Sequence, residues 1–407
     1  MAARVVPIGE RVALYRHRRG MSQVKLAALT NRSESWVSKV ERGEKPVERL
    51  SVLAELARAL DVPVSELAGT APGLADRKAD QHAAAQEIRL LLSEFDFLAV
   101  LLQPGRAETT PVPDLGELRS AVHRMWVLAH DSRYGEIVPL LRSTLRQGEQ
   151  TARGVGGGRQ REVFGILAEA YQAAAAVMAK LGETELAWVA ADRSVMAAER
   201  SGMPLLALAG VFRLAHGFLS GWKLDQTERA SASGALALAA QVESGPPEAV
   251  SLYGALNLVR ALAASRAGRG PTAWEAIAEA ERAAGLVGED RNDFDTEFGP
   301  TNVAIHGVSI AVELGDAGEA LRRAQAVHPE ALSRERRARF LVEVARAHGQ
   351  RRQASQTVAT LRQAYGADPE QVRFQPMAQE LVRDLMRRTR GHPDREVVSL
   401  ARSLGLV

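Results

Sequence analysis

Residues 22–43, SQVKLAALTNRSESWVSKVERG, constrain the fold more than any other stretch of the chain. They spell two short helices with a tight turn between them. Ser22 is an N-cap residue, and the apolar positions Val24, Leu26, Ala27 and Leu29 follow it. A serine hydroxyl there accepts a bond from one of the free backbone N–H groups of the first turn. The pattern breaks at Thr30, Asn31 and Arg32, a polar turn. Ser33 supplies a second cap, Val37 and Val40 sit three apart on one face, and Gly43 ends the helix. Glycine suits that end because it takes a left-handed backbone without a Cβ clash.

The flanks extend the pattern. Residues 8–19 read as a helix with Ile8, Val12 and Tyr15 at i, i+4 and i+7. Pro46 breaks the chain, and a helix over about 49–60 places Leu50, Leu53, Leu56, Ala57 and Leu60 on one side. Pro63 opens a last short helix ending near Gly69. The central spacing is that of a helix-turn-helix, whose second helix enters the major groove of DNA. Five helices within the first 69 residues, with that motif as helices two and three, resemble the Cro/CI (xenobiotic-response-element) repressor family. The resemblance rests on Ser22-Gln23, Leu26-Ala27, Ser38, Glu41-Arg42-Gly43, Leu53-Ala54, Leu56-Ala57 and Ala59-Leu60, and it covers this domain alone.

At 407 residues the chain has room for about two to three domains and a sizeable core. It has no cysteine, which excludes disulfides and thiolate metal sites. No apolar stretch follows a basic start, and no run of about 18 uncharged apolar residues occurs. A soluble, cytoplasmic protein with no membrane partner is expected. Arg outnumbers Lys 46 to 6, the usage of a GC-rich genome such as that of an actinobacterium. The net charge of +3 matters less than its distribution. Residues 1–70 hold 12 Lys+Arg against 8 Asp+Glu, and the remainder holds 40 against 41. The positive excess lies in the segment expected to meet a polyanion, although it is too small to argue DNA binding alone.

Residues 70–78, TAPGLADRK, read as a linker, and a helix is expected over 79–102. Its end, FDFLAVLL, is apolar and needs burial, in the C-terminal domain or in a dimer. Residues 103–114 carry three prolines and form a second break. From residue 115 onward only helical patterning is present. Gly182, Gly268, Gly315 and Gly349 are each followed five residues later by an alanine, Ala187, Ala273, Ala320 and Ala354. Four further on come Ala191, Ile277, Ala324 and Val358, and the last two copies start 34 residues apart. That is the tetratricopeptide period, with Gly at the turn and Ala where the two helices approach. The repeats resemble tetratricopeptide units but lack the Trp-Leu-Gly-Tyr signature. Helix pairs are expected near 115–149, 160–200, 204–242, 248–286, 299–326, 333–365 and 370–405. The expected fold class is therefore all-α: a five-helix Cro/CI-type DNA-binding domain (1–69), a linker (70–78), a connecting helix and loop (79–114), and a tetratricopeptide-like α-solenoid (115–407). The alternative for the last part is an Arg- and Ala-rich bundle without solenoid order.

Other signals carry less chemistry. The Gly-rich run at 154–158 has no following Gly-Lys-Ser/Thr and no preceding strand, so it reads as an inter-helix loop. The nine histidines show no metal motif, although His123 and His130 lie seven apart and share a helical face. No nucleophile elbow, nucleotide fingerprint or catalytic constellation is visible, so no cofactor and no enzyme activity are expected. Polar residues on the first helices of the pairs are more informative. Tyr253, Asn257 and Arg260 sit at i, i+4 and i+7, Asn302 and His306 are four apart, and Arg213 and His216 three apart. Arg213, Tyr253, Asn257, Arg260, Asn302 and His306 are thus candidate effector contacts in a concave groove; a solvated face or helix-to-helix bonding is the alternative. Residues 290–298, DRNDFDTEF, form an acidic loop, either plain surface or a cover for that groove.

The resemblance implies roles for residues of the first domain. Ser33, Glu34, Ser35 and Lys39 take base-facing positions, with Lys39 placed to donate to guanine and Glu34 to accept from cytosine. Gln23 should meet a phosphate, and Arg42, Lys45 and Arg49 are further phosphate candidates. Trp36 covers the sugar-phosphate edge, packs on a thymine methyl, or packs on helix two. Arg16 and Glu41 match the family's internal ion pair. Family members bind double-stranded DNA as dimers on half-sites about 34 Å apart, which implies a homodimer. The whole arrangement is similar to actinobacterial regulators of this type and to Gram-positive peptide-pheromone receptors. It implies a transcriptional regulator whose helical domain binds a small molecule or peptide; the alternatives are a scaffold for a partner protein, or a constitutive repressor that uses its repeats only to dimerise.

Overall fold

The computed structural model describes residues 7–47, 49–62, 64–68, 75–93, 114–131, 133–181, 183–328, 334–373, 375–388 and 394–406. The expected features at Pro63, Gly69, Gly182, residues 70–74, FDFLAVLL and most of the 103–114 break lie outside these. Among the described residues the chain is all helix, with an amino-terminal bundle followed by a helical remainder.

The bundle comprises α1 (Ile8–Arg18), α2 (Gln23–Leu29), α3 (Glu34–Glu41), α4 (Leu50–Ala59) and α5 (Val64–Ala68). Both serine caps form: Ser22 Oγ accepts from Lys25 N–H at 3.1 Å and Ser33 Oγ from Trp36 N–H at 3.2 Å. Gly43 has φ +71°, the left-handed value expected after α3. Ile8, Val12, Leu26, Val37, Leu53 and Leu56 make one core. On α2 only Leu26 and Ala27 are buried; Val24 and Leu29 are exposed, because two turns of helix offer a single narrow face to the bundle.

The remainder continues with α6 (Ala75–Ser93), α7 (Leu115–His130), α8 (Tyr134–Gly154), α9 (Gly157–Leu181), α10 (Thr184–Ser201), α11 (Pro204–Ser220), α12 (Leu224–Leu238), α13 (Pro247–Arg266), α14 (Gly270–Val287), α15 (Pro300–Leu314), α16 (Ala317–Ala324), α17 (Arg334–Gln350), α18 (Ala354–Ala367), α19 (Pro369–Arg373), α20 (Pro376–Arg388) and α21 (Arg395–Ser403). Helix α6 starts at Ala75, inside the stretch expected as linker, since no helix breaker follows Gly73. Gly268 (φ +73°) and Gly315 (φ +85°) hold the turns between helices, and Ala187, Ala273 and Ala320 are fully buried. The last copy differs. Gly349 lies inside α17, the left-handed residue is Arg352, and Ala354 is exposed.

Contacts divide the chain into two compact units. One is Met1–Ala75 with Ser265–Pro271 and Val303–Val407; the other is Asp76–Ala264 with Thr272–Asn302. The first break between the units, at Ala75 and Asp76, falls within the 70–78 stretch, and the contacts also join the amino-terminal bundle to the carboxy-terminal helices. Within that first unit, Met377 of α20 joins the core of the bundle. Helix α4 has Arg49 at its N-cap with no side-chain cap bond. The missing cap comes from afar: Glu313 of α15 accepts from Ser51 N–H at 2.8 Å. Glu313 also pairs with Arg346 of α17 at 3.3 Å, both side chains below a tenth exposed.

The second unit is built around α9. That helix is long and apolar enough to cross a membrane by length and composition. Because 78% of its apolar window is buried within the protein, it reads as a core helix. Helix α11 lies close on α10 at glycines: a Cβ on Gly210 would stand 2.8 Å from Val195 Cγ2, and one on Gly217 would stand 3.4 Å from Ala187 Cβ.

Candidate nucleic-acid interface

Helix α3 has two sides of opposite character. Val37 and Val40 are buried in the bundle, at 0% and 1% exposure. Ser33, Glu34, Ser35 and Lys39 are all exposed. A period of 3.6 residues places Ser35 and Lys39 one turn apart on the outer face. Trp36 sits between the sides, half-buried and packed on the bundle core. The Arg32 guanidinium lies 5.3 Å from its ring centre and pairs with Glu55 at 3.5 Å.

A buried ion pair holds α3 against α1. Arg16 donates through Nε to Glu41 Oε1 at 2.6 Å and through a second nitrogen to Oε2 at 2.9 Å. Its remaining terminal nitrogen donates to the Met21 carbonyl at 2.7 Å, which ties in the start of α2. Gln23 Nε2 donates to Glu41 Oε2 at 2.7 Å. The amide expected at a phosphate is thus oriented by the same carboxylate. Arg42 is exposed and bonded to Glu44 at 2.6 and 3.0 Å and to Ser38 Oγ. Glu44 therefore neutralises one of the expected phosphate contacts. Lys45 is exposed. Arg49 is half-buried and runs beside Gly315, where a Cβ would stand 3.7 Å from its guanidinium carbon.

The family model of the helix-turn-helix domain matches residues 7–68. A comparison with curated proteins gives no match to the chain. A domain of this kind supports DNA binding and a regulatory role. The helix-turn-helix domain leaves Ser33, Glu34, Ser35 and Lys39 exposed while it is joined to the carboxy-terminal helices. Besides Met377 and Glu313, the Arg387 side chain reaches Gly43, where a Cβ would stand 3.4 Å from Arg387 Cδ. Burial pushes the Glu313 carboxyl up, but the Arg346 charge, the Ser51 bonds and Arg266 together hold it below the usual carboxylate range.

The candidate effector residues are placed differently from the expectation. Arg213 is buried and donates to the Phe294 and Asp295 carbonyls at 2.8 and 2.9 Å. Its guanidinium lies between Trp126 and Phe212, at 4.7 and 5.0 Å from the ring centres. Burial pushes its pKa down to about 10, although Asp295 and Glu297 act in the opposite sense. Asn257 is 1% exposed and donates to the Tyr253 carbonyl, one turn back. Tyr253 donates to Glu279 Oε2 at 2.6 Å. Arg260 is half-buried, and its buried Nε lacks a partner. Asn302 and His306, both half-buried and engaged with neighbours, fall in different units. The structure therefore does not present Arg213, Tyr253 and Asn257 as free groups along a shared groove. The physical reason is that residues 251–259 of α13 are all buried, so alignment on one face does not mean an open face. The acidic loop is the part that Arg213 serves. Sequence reasoning missed Arg32, Glu44, Glu313 and Arg387; only Glu44, two residues from Arg42, left a local signal.

Proposed function

We propose that the protein is a sequence-specific transcriptional regulator, cytoplasmic and homodimeric, whose tetratricopeptide-like helical remainder binds a small-molecule or peptide effector. The observation that carries the reading is the exposure of Ser33, Glu34, Ser35 and Lys39 on a helix whose other side is locked into the bundle. Direct readout needs short polar side chains held rigidly at base edges in the major groove. Lys39 donates to guanine O6 or N7, and Glu34 accepts from cytosine N4. The exposed Lys45, the amide of Gln23 and the N–H groups opening α2 meet phosphates and fix register without reading sequence. One such domain is small, so two act together on half-sites about 34 Å apart. The helical remainder supplies the pairing and acts by binding rather than catalysis. An effector changes DNA affinity by favouring one placement of the two reading domains over another.

Selection of binding sites from a random duplex library by the full-length protein tests this. The reading predicts one enriched motif made of two half-sites about one helical turn apart. Recovery of unenriched sequence, with binding that simply follows salt, would leave only non-specific phosphate contact.

A further inference from the structure

The second unit contains a cleft of about 200 Å³ that the candidate effector residues do not line. Helices α7, α9 and α11 form its walls, and residues Phe294 and Asp295 of the acidic loop form one edge. The volume is below the range of drug-sized pockets, roughly 300–1,000 Å³, and suits a molecule of single amino-acid size.

The lining carries groups of both signs. Glu169 and Asp295 bring carboxylates to it and Gln172 an amide. Glu169 has no hydrogen bond or ion pair among the described residues, although it lines the cleft. Gln172 is 1% exposed, and its Nε2 donates to the Leu206 carbonyl at 3.1 Å. That bond fixes the amide, so Oε1 is the group left to accept. Asp295 is held by Asn292 Nδ2 at 3.2 Å and faces His130 Nε2 at 3.7 Å. Arg119 and His123 of α7, both exposed, bring basic groups. Arg119 is bonded to Glu162 through one terminal nitrogen and keeps further donors of its five. Val122, Trp126 and Leu206 supply apolar surface.

The two carboxylates act on each other. Burial raises the Glu169 pKa, the Asp295 charge raises it further, and Arg119 acts against them. A cationic group bound near Glu169 favours its charged form, as Arg213 and His130 already stand near Asp295. The edge that carries Asp295 is firmly anchored: the Phe298 ring packs on the backbone of Gly254, and Arg213 ties down two carbonyls.

The geometry points to this cleft as a binding site for a small zwitterion of the α-amino-acid class. Its ammonium meets Glu169, Asp295 and Gln172 Oε1, its carboxylate meets Arg119 and His123, and its side chain packs on Val122, Trp126 and Leu206. As an effector site it rests on the regulator reading; as a binding site it stands alone.

The test is calorimetric titration of the full-length protein with each of the twenty L-amino acids singly. For any that binds, the matched amine without the carboxylate and the matched acid without the amine follow. The proposal expects saturable binding of one or a few amino acids, and at least tenfold weaker binding of both truncated analogues. Glu169→Gln and the surface variant Arg119→Ala should each weaken binding tenfold or more, with helix content unchanged by circular dichroism. No binding up to millimolar concentration, or affinity untouched in Glu169→Gln, overturns it. Operator affinity measured with and without the bound amino acid separates the two claims. Amino-acid binding by a protein that selects no DNA sequence keeps the site and removes the regulator.

Discussion

Glu313 shows how one side chain ties the DNA-facing bundle to the helices that follow it. It lies 262 residues from the amide it caps, and it takes the place of the missing side-chain cap at α4. Because it is buried with Arg346, replacing it deprives that buried charge of one of its two carboxylate partners. Glu313→Gln should lower unfolding stability by about 3 kcal/mol at pH 7, the low end for a broken buried pair because Glu343 still bonds Arg346 at 2.7 Å. The effect has a defined pH sign. The folded-state pKa lies below the unfolded value of about 4.3, so the stabilisation is full above that value and is lost as pH falls through the folded one. Urea unfolding at several pH values should show wild-type stability falling in acid and a flatter profile for Glu313→Gln. Parallel profiles would mean that folding does not shift the Glu313 pKa. None of this is legible in the sequence, since nothing local marks Glu313 as a cap for Ser51. The exposed set on α3 is legible, because Ser33, Val37 and Val40 fix which way the helix turns.

Elements follow the local pattern more closely than individual contacts do. The caps and apolar spacing of α1–α5 act within a few residues, so the bundle could be read from the chain. Tyr253, Asn257 and Arg260 could not, because a spacing names a face without saying what covers it. The available signal was the composition of α13, apolar or small at nearly every position, which marks a helix buried all round. Glycines inside helices carried a similar signal. A Cβ on Gly9 of α1 would collide with the Val40 carbonyl oxygen at the end of α3. Gly9→Ala should therefore destabilise the bundle by about 1–3 kcal/mol, read by thermal unfolding, although alanine is the better helix former. On α13, Gly254→Ala would drive its methyl into the Phe298 ring and free the acidic loop. Faster amide exchange across residues 290–298 is the expected result; unchanged protection there would mean that the Phe298 contact does not hold the loop.

The exposed face of α3 belongs to a domain that is not folded on its own account alone. The helix-turn-helix domain shares a compact unit with residues 303–407, so the carboxy-terminal helices are part of what holds the domain in place. A boundary drawn from sequence at 70–78 misses this, because Pro72 and Gly73 mark a local break and carry no record of where the chain returns. Whether α3 reads base sequence is decided by base-by-base affinity profiles of full-length protein on its selected operator. Lys39→Ala should lose about 1–3 kcal/mol of discrimination at one base pair per half-site and leave the other positions unchanged. Gln23→Ala should weaken every sequence evenly. Profiles that stay the same through substitutions of Glu34, Ser35 and Lys39 would show that α3 does not read the bases.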